Sequence, residues 1–263
     1  MSSVDDQKEE LDARLRGHDD GGLAGKHAVV TGASRGIGAA IADALFAQGA
    51  RVTSMSRTAG APLGRDRQAL AVDVTQPDAV TAAFATARQA FGPVDILVNN
   101  AGAVESRPYL KITDEYWHDC IAVNLHGVHY CTRNALPDMV ERGWGRIVNI
   151  ASVAGLRGFP YASAYAAAKH AVVGLTRSLA QEVAGKGVTV NAICPGYVDT
   201  DIVTNAAKTI ASKTGRSEAE ARATLAKANA SGRLILPGEV AEKVVWLCRD
   251  ECAAINGQEL VLE

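Results

Sequence analysis

Short runs of apolar residues alternate with longer stretches of helical periodicity along most of the chain. Apolar runs of strand length lie at residues 27–31, 51–55, 68–74, 94–99, 146–152, 188–194 and 258–262. Between them, apolar residues recur at the spacing of a helix face over 39–48, 76–91, 113–142, 161–184 and 240–249, and a helical insertion covers 201–230. Pro137 predicts a bend or break in the longest of these helices. This alternation predicts an α/β fold, a doubly wound parallel sheet with helices on both faces.

The start of the chain differs from the rest in its polarity. Residues 1–24 are rich in charged and polar residues and have no apolar periodicity, which predicts a solvated tail. The remaining residues, 25–263, are enough for one large α/β domain. The pattern shows no internal repeat and no second domain.

Composition and charge narrow the class of protein. Hydrophobic residues make up 48% of the chain, which excludes a largely disordered protein. A net charge of −2 gives no electrostatic reason to expect nucleic acid or an anionic membrane as partner. No apolar run is long enough to span a bilayer, and the start of the chain lacks the apolar core of a signal peptide. The five cysteines are scattered and the histidines form no ligand cluster, so we expect a cytoplasmic protein without a metal site.

A glycine-rich turn joins the first strand to the first helix. It reads Thr-Gly-Ala-Ser-Arg-Gly-Ile-Gly over residues 31–38. Glycines let a backbone approach a phosphate, and a helix N-terminus offers free N–H groups and the positive end of a dipole. The spacing is GxxxGxG rather than the GxGxxG fingerprint. The turn predicts a dinucleotide site, and a tight turn without a ligand is the alternative.

The end of the second strand bears on which dinucleotide binds. Enzymes that use NAD place an acidic residue about 20 residues after the turn, where it binds the ribose 2′-hydroxyl. This stretch has no acid and instead carries Ser56 and Arg57, with Arg35 of the turn able to reach the same place. A hydroxyl and a cation favour a 2′-phosphate, so NADP(H) is the preferred cofactor and NAD(H) is possible. The alternative is that both arginines are simply solvated.

Tyr165 and Lys169 lie four residues apart in a predicted helix and therefore share one face. A free tyrosine has a pKa of about 10, and a nearby ammonium group lowers it by favouring the phenolate. We therefore expect this pair to act as a general acid and base near neutral pH.

From about residue 26 to residue 263 the sequence resembles the short-chain dehydrogenase/reductase family. Ser152 precedes Tyr165 by 13 residues and Asn124 precedes Ser152 by 28, as in that family. The motifs that carry the resemblance are TGASRGIG at 31–38, Asp73-Val74, NNAG at 99–102, Asn124, Ser152, YAAAK at 165–169 and PGYVDT at 195–200. The resemblance implies a single Rossmann-like domain and an oxidoreductase.

The same resemblance implies a set of site residues. Asn124, Ser152, Tyr165 and Lys169 are expected to be catalytic. The expected cofactor-binding residues are Gly32, Ser34, Arg35, Gly36, Ile37, Gly38, Ser56, Arg57, Asp73, Val74, Asn100, Ala101, Gly102, Tyr165, Lys169, Pro195, Gly196, Val198 and Thr200. By resemblance, Asp73 and Val74 meet the adenine, residues 100–102 the adenosine ribose, and Val198 and Thr200 the nicotinamide end.

The resemblance also implies a mechanism for this set. Ser152 holds the carbonyl oxygen of the substrate, and Tyr165 donates a proton to it in reduction or takes one in oxidation. Lys169 supports the phenolate and hydrogen-bonds the nicotinamide ribose. Asn124 kinks its helix and holds a water that links Lys169 to bulk solvent.

The substrate side of the sequence is predominantly apolar. We expect a pocket for a hydrophobic ketone, with a 3-oxoacyl thioester as one candidate. The residues expected to line it are Gly155, Leu156, Phe159, Tyr161, Tyr197 and the loop 104–109. Residues 201–230 are expected to form a helical lid with a capping box at residues 217–220. The basic residues of this lid, Lys208, Lys213, Arg216 and Arg222, could meet a phosphopantetheine or CoA group, or form a solvated face.

Two alternatives to this function stay open at this point, and so does the oligomeric state. One is an NAD-preferring hydroxyacyl or alcohol dehydrogenase, and the other is a protein that senses dinucleotides without turnover. The resemblance implies a homotetramer or a dimer. Related chains usually continue past the last strand with two glycines and a few residues that help a tetramer form, whereas this sequence stops at Glu263.

Overall fold

One parallel sheet runs through the centre of the protein with the strand order β3-β2-β1-β4-β5-β6-β7. The computed structural model describes residues 22–58 and 64–263. The strands are β1 (His27–Thr31), β2 (Arg51–Ser56), β3 (Arg67–Ala71), β4 (Ile96–Asn99), β5 (Gly145–Ile150), β6 (Val188–Pro195) and β7 (Glu259–Leu262). The strand order reverses between β1 and β4, and this leaves a crevice at their carboxyl ends where ligands bind in folds of this kind.

Helices cover both faces of the sheet. They are α1 (Gly36–Ala47), α2 (Pro77–Phe91), α3 (Asp114–Ile121), α4 (Gly127–Arg142), α5 (Ser163–Glu182), α6 (Asp201–Thr214), α7 (Glu218–Ala226) and α8 (Pro237–Cys248). Helices α1 and α8 pack on one face, and α2, α4 and α5 pack on the other. Short 3₁₀ turns lie at Tyr109–Lys111, Val153–Gly155 and Asp250–Cys252.

Strand β1 shows why its sequence is apolar throughout. Ala28 and Val30 belong to the core beneath α1 and α8, whereas Val29 belongs to the core beneath α2, α4 and α5. Successive side chains of a strand point to opposite faces, and both faces of this sheet are covered. All five residues of β1 are therefore buried.

The predicted α/β fold is confirmed, with most element boundaries within a few residues of the expected ones. The helix does not break at Pro137, which lies inside α4, so a bend there stays a prediction. The break in this helical stretch lies earlier, in a π-helical turn at Ala122–His126 between α3 and α4. A π turn inserts one extra residue and often marks a functional site.

The boundary of the expected N-terminal tail is partly wrong. Residues 1–21 lie outside the described residues, but residues 22–24 form a turn and Leu23 is only 1% exposed. Its N–H donates to the Gln48 carbonyl (3.2 Å), and its side chain packs in the core with α1 and α8. The packed domain therefore begins no later than Leu23.

The segment expected to form the lid folds as two helices, α6 and α7. The predicted capping box is present at the start of α7, where Ser217 and Glu220 exchange hydrogen bonds. Val203 and Ala207 of α6 meet Ala221 and Leu225 of α7 in a small apolar cluster of their own. This cluster makes the two lid helices a packed pair.

Candidate active site

The glycine-rich turn is held closed by contacts that leave no space for side chains. Gly32 has a φ of +66°, which favours glycine. A Cβ at Gly38 would lie 2.3 Å from the Gly32 carbonyl oxygen. The Asn100 amide reaches across from the end of β4 and donates to the carbonyls of Thr31 (2.9 Å) and Gly32 (3.2 Å). The turn and the expected 100–102 segment are thus one unit.

The N-terminus of α1 fits an anionic group. Its N-cap residue is Arg35, whose side chain cannot accept a hydrogen bond, and the first turn contains no acidic residue. Ser34 and Arg35 are exposed, while Gly36 and Ile37 are half-buried. The N–H groups of the first turn and the positive end of the helix dipole therefore face a place that a pyrophosphate would suit.

The end of the crevice where the adenosine is expected carries one cation and one constrained carboxylate. Arg57 is exposed after β2, and Ser56 donates to the Thr58 carbonyl (2.7 Å). Asp73 accepts hydrogen bonds from the N–H (2.9 Å) and the hydroxyl (2.8 Å) of Thr75. These two bonds, with a smaller contribution from the charge of Arg57, lower the pKa of Asp73. The carboxylate is thus kept ionised as a hydrogen-bond acceptor.

Val74 rests against a glycine that the sequence analysis did not single out. A Cβ at Gly127 would lie 2.8 Å from Val74 Cγ2, so α4 approaches the crevice closely at its first residue. A glycine that interrupts a helical pattern is the signal that marks such a close approach.

Asn124 lies at the centre of the π turn and is fully buried. Its amide group donates to the carbonyls of Ala103 (2.8 Å) and Cys120 (2.9 Å), and its Oδ1 accepts from the Ala103 N–H (3.2 Å). The side chain therefore ties the 101–103 turn to the π turn. Gly102 fits against it closely, since a Cβ there would lie 2.7 Å from Asn124 Oδ1.

Ser152, Tyr165 and Lys169 come together at the carboxyl end of β5. Ser152 follows β5 and caps the 3₁₀ turn by accepting from the Ala154 N–H (3.1 Å). Its hydroxyl is near enough to the Tyr165 phenol to lower the pKa of that phenol. Lys169 Nζ lies 5.6 Å from the centre of the Tyr165 ring and donates to the Ile150 carbonyl (2.8 Å). Gly155 makes this arrangement possible, because a Cβ there would lie 2.7 Å from the Lys169 carbonyl oxygen.

The pKa of Tyr165 shifts in the opposite direction to the one expected from the sequence. Burial raises the pKa of Tyr165 to about 12, and the Ser152 hydrogen bond offsets only part of this rise. Burial also lowers the pKa of Lys169 to about 8. Both shifts arise because a buried site disfavours the charged form of each group. The raised pKa means that the Tyr165 phenol is protonated at neutral pH.

The loop at 195–200 joins the glycine-rich turn to the lid. Pro195 ends β6, and Thr200 is the N-cap residue of α6, where its methyl group would lie 3.3 Å from a Cβ at Gly36. Arg35 is paired with Asp201, the first residue of α6, at 3.3 Å. Arg35 therefore contacts the first residue of α6, whereas Arg57 lies at the end of β2.

The substrate side combines aromatic residues with two loops that are tied together. The rings of Phe159 and Tyr197 lie 6.2 Å apart, and the Arg107 N–H donates to the Tyr161 carbonyl (2.8 Å). Of these aromatic residues, Tyr161 is 65% exposed. The 104–109 loop and the segment after Ser152 are thus joined into one rim.

The basic residues of the lid do not behave alike. Arg222 pairs with Asp199 at 2.6 Å, so it joins α7 to the 195–200 loop and is not part of a free basic face. Lys208, Lys213 and Arg216 are exposed. Sequence reasoning missed the pairing of Arg222 because it depends on how the lid folds back.

The described residues show neither a metal-binding cluster nor a helix that could span a membrane. Residues 22–58 and 64–263 contain no group of three or more His, Cys, Asp or Glu side chains placed to hold a metal ion. Over the same part of the chain, no helix has both the length and the apolar character needed to cross a membrane.

Relatives of known sequence match nearly the whole chain. A family model for short chain dehydrogenase matches residues 26–211. The chain is 39% identical over 244 residues to a 3-oxoacyl-[acyl-carrier-protein] reductase of Vibrio harveyi, which covers 90% of this chain and 96% of that protein. It is 38% identical over 251 residues to a D-beta-hydroxybutyrate dehydrogenase of Rhizobium meliloti, with 90% and 97% covered.

Solved structures resemble the fold equally well. An actinorhodin polyketide ketoreductase variant with NADPH superposes with a TM-score of 0.85 at 37% identity, covering 90% of this chain and 95% of that one. The ligand-free aldohexose dehydrogenase of Thermoplasma acidophilum gives a TM-score of 0.84 at 34% identity, with 91% and 93% covered. The sheet order, the glycine-rich turn and these relatives agree, and the chain is an oxidoreductase that belongs to the short-chain dehydrogenase/reductase family.

Proposed function

We propose that this enzyme interconverts a ketone and a secondary alcohol with NADP(H), and that its substrate is a 3-oxoacyl thioester or another hydrophobic ketone. The observation that carries the proposal is the convergence of Ser152, Tyr165 and Lys169 at the carboxyl end of β5. This position lies on the same edge of the sheet as the glycine-rich turn, where a dinucleotide and a small substrate can meet.

Ser152 and Tyr165 act on the substrate oxygen. The Ser152 hydroxyl is near enough to the Tyr165 phenol to lower the pKa of that phenol, so a carbonyl oxygen placed between the two groups can receive a hydrogen bond from each. In reduction, Tyr165 transfers its phenolic proton to that oxygen while the carbonyl carbon accepts hydride. The Tyr165 phenol is protonated at neutral pH, as a proton donor in this direction must be.

Lys169 and Asn124 support the proton donor. The Lys169 ammonium lies beside the Tyr165 ring, where it stabilises the phenolate that remains after proton transfer. Asn124 keeps the π turn and the 101–103 turn together, and so holds the backbone against which Lys169 lies.

The residues that would hold the cofactor follow the crevice from one end to the other. Asp73 and Val74 receive the adenine, residues 100–102 the adenosine ribose, and the first turn of α1 the pyrophosphate. Val198 and Thr200 receive the nicotinamide end, and Lys169 the adjoining ribose. When bound, the nicotinamide supplies or accepts the hydride.

The preference for NADP(H) rests on charge at the end of β2. Arg57 is exposed there, Ser56 lies beside it, and residues 51–58 contain no acid that would repel a 2′-phosphate. The structure of the related actinorhodin ketoreductase is one with NADPH, which supports this preference.

The substrate class rests on the rim and on the relatives. Leu156 and Tyr161 are exposed in the segment after Ser152, and the Phe159 and Tyr197 rings lie next to each other. An apolar rim of this kind favours an acyl chain or another hydrophobic ketone over a free sugar. Several relatives at about the same identity are 3-oxoacyl-[acyl-carrier-protein] reductases.

A second candidate function is an NAD-preferring hydroxyacyl or alcohol dehydrogenase. The observation that favours it is the equally high identity to a D-beta-hydroxybutyrate dehydrogenase. The pairing of Arg35 with Asp201 is consistent with it, because Arg35 is then not directed to a 2′-phosphate.

A panel of substrates run with both cofactors tests the proposal. Purified protein is assayed with NADPH and NADH against 3-oxoacyl thioesters, simple hydrophobic ketones and sugars, and in reverse with 3-hydroxy acids. We expect the highest kcat/KM with NADPH and a 3-oxoacyl thioester or hydrophobic ketone. Faster oxidation of a hydroxy acid with NAD would favour the second candidate. Tight cofactor binding with no turnover on any member would point to a sensor and contradict both.

A further inference from the structure

Asn229 is a buried side chain at the end of the lid that pairs with a single residue of the 195–200 loop. It follows α7 and is 4% exposed. Its Oδ1 accepts from the Tyr197 N–H (2.8 Å), and its Nδ2 donates to the Tyr197 carbonyl (3.0 Å) and the Arg233 carbonyl (2.6 Å). One side-chain amide thus satisfies both backbone groups of Tyr197.

This pairing continues a short β-like contact. Val198 pairs with Ile235 as in a parallel sheet, with the Ile235 N–H donating to the Tyr197 carbonyl (3.0 Å) and the Asp199 N–H to the Ile235 carbonyl (2.8 Å). The Asn229 side chain adds two further hydrogen bonds to the backbone of the same loop, at Tyr197. The backbone of Ile235 and the side chain of Asn229 together therefore bind the 195–200 loop.

The fit around the amide leaves no space for other side chains. A Cβ at Gly196 would lie 2.3 Å from Asn229 Oδ1, far inside contact distance. Glycine at 196 and asparagine at 229 thus go together, and neither can change without moving the loop.

The loop that Asn229 holds faces two parts of the proposed site. Val198 and Thr200 lie where the nicotinamide end is proposed to bind, and Thr200 packs against Gly36 of the glycine-rich turn. The Tyr197 ring lies against Phe159 on the substrate rim. A shift of the Tyr197 backbone would move both groups.

We propose that Asn229 is a positioning residue, which holds the 195–200 loop in the conformation that the nicotinamide end of the cofactor requires. This inference rests on the proposed function. It predicts that only the binding of the nicotinamide half of the cofactor depends on Asn229, because the adenosine and pyrophosphate half is proposed to bind residues that Asn229 does not contact.

Two ligands that differ only in the nicotinamide test this inference. Calorimetry measures the affinity for NADPH and for 2′-phosphoadenosine 5′-diphosphoribose, which lacks the nicotinamide; NADH and ADP-ribose replace them if the wild type binds NADH more tightly. Asn229→Leu removes all three hydrogen bonds of the side chain at similar volume. We expect it to weaken NADPH by about tenfold or more and the fragment by less than about twofold. The KM for the cofactor should rise in parallel.

Asn191 provides the matched control. It is 1% exposed, its Oδ1 accepts from the Gln258 N–H (3.0 Å), and its Nδ2 donates to the Ile255 carbonyl (2.8 Å). This is the same kind of buried bridge, directed to a segment to which no cofactor or substrate contact is assigned. Asn191→Leu should therefore lower stability without changing the ratio of the two affinities.

The outcomes separate this inference from the function on which it rests. An equal loss of both affinities in Asn229→Leu, unchanged NADPH affinity, or the same change of ratio in Asn191→Leu would overturn the positioning role. Asn229→Ser, which leaves a smaller polar group, is measured in the same way if the leucine variant does not fold. A wild-type protein that binds neither dinucleotide would overturn the proposed function itself.

Discussion

Gly38 and Gly174 are both helical glycines, yet the same substitution to alanine should have opposite effects on them. At Gly38, in the first turn of α1, a new Cβ would lie 2.3 Å from the Gly32 carbonyl oxygen and 2.5 Å from Asn100 Nδ2. Ordinary contacts of a Cβ begin at 3.4 Å, so the Gly32 carbonyl must retreat by roughly 1 Å. At Gly174, in α5, nothing lies within 4 Å of the new atom.

The magnitude follows from two opposing contributions. Overpacking of a well-packed site costs about 1–3 kcal/mol, and alanine in place of a helical glycine gains about 0.5–1 kcal/mol. Gly38→Ala should therefore lower the free energy of unfolding by about 0.5–2 kcal/mol. Gly174→Ala has no clash to overcome and should raise it by about 0.5–1 kcal/mol.

Cofactor affinity should change only at the first of the two positions. Gly38→Ala displaces the Gly32 carbonyl, which accepts a hydrogen bond from Asn100. We therefore expect the whole glycine-rich turn to shift with it. A loss of about 1.4 kcal/mol in binding corresponds to a tenfold rise in the Kd for NADPH, and we expect at least about this change. Gly174→Ala should bind NADPH as the wild type does.

Urea denaturation and NADPH titration measure the two quantities on the same preparations. The midpoint of denaturation gives the change in stability at constant m-value, and the titration gives the Kd. If the two variants had the same stability and the same Kd, the close contact between Gly38 and the turn would not limit either folding or binding, and the reasoning would fail.

Three further predictions concern the proposed chemistry. Tyr165→Phe removes the proton donor and should lower kcat at least about 100-fold, while NADPH binds unchanged by titration; a near-wild-type rate would exclude the assignment. Arg57→Ala should raise the KM for NADPH much more than that for NADH, and equal losses would mean that Arg57 does not meet the 2′-phosphate. Because burial lowers the pKa of Lys169 to about 8, the ammonium is present below that pH. The kcat for ketone reduction should therefore fall as the pH rises through about 8, and this alkaline decline should be absent from the residual activity of Lys169→Met.

Much of the site could be predicted because its parts are close in sequence. Tyr165 and Lys169 share one face of α5 through helix geometry alone. The glycine-rich turn could be predicted because its glycines are residues that a tight turn requires. The resemblance added Ser152 and Asn124 through their spacing. Both are where the prediction expects them, Ser152 at the end of β5 and Asn124 at the irregular turn before α4.

Other features depend on parts of the chain that are far apart in sequence. Leu23 looks like the end of a polar tail, and its burial appears only when α1 and α8 close over it. From the sequence, Arg222 is expected to be a solvated residue of the lid, but in the folded protein it pairs with Asp199. Asn229 belongs to no motif, and two of its three side-chain hydrogen bonds arise from a long-range contact with Tyr197.

Amino-acid order alone determined the alternation of strands and helices, the glycine-rich turn and the helix face shared by Tyr165 and Lys169, because each rests on local periodicity or short spacing. Tertiary structure decided the direction in which the pKa of Tyr165 shifts. From the sequence, the neighbouring Lys169 suggests a lowered pKa for Tyr165, but the packed site raises it to about 12. The physical reason is that desolvation depends on every element around the phenol, and no stretch of sequence holds that information.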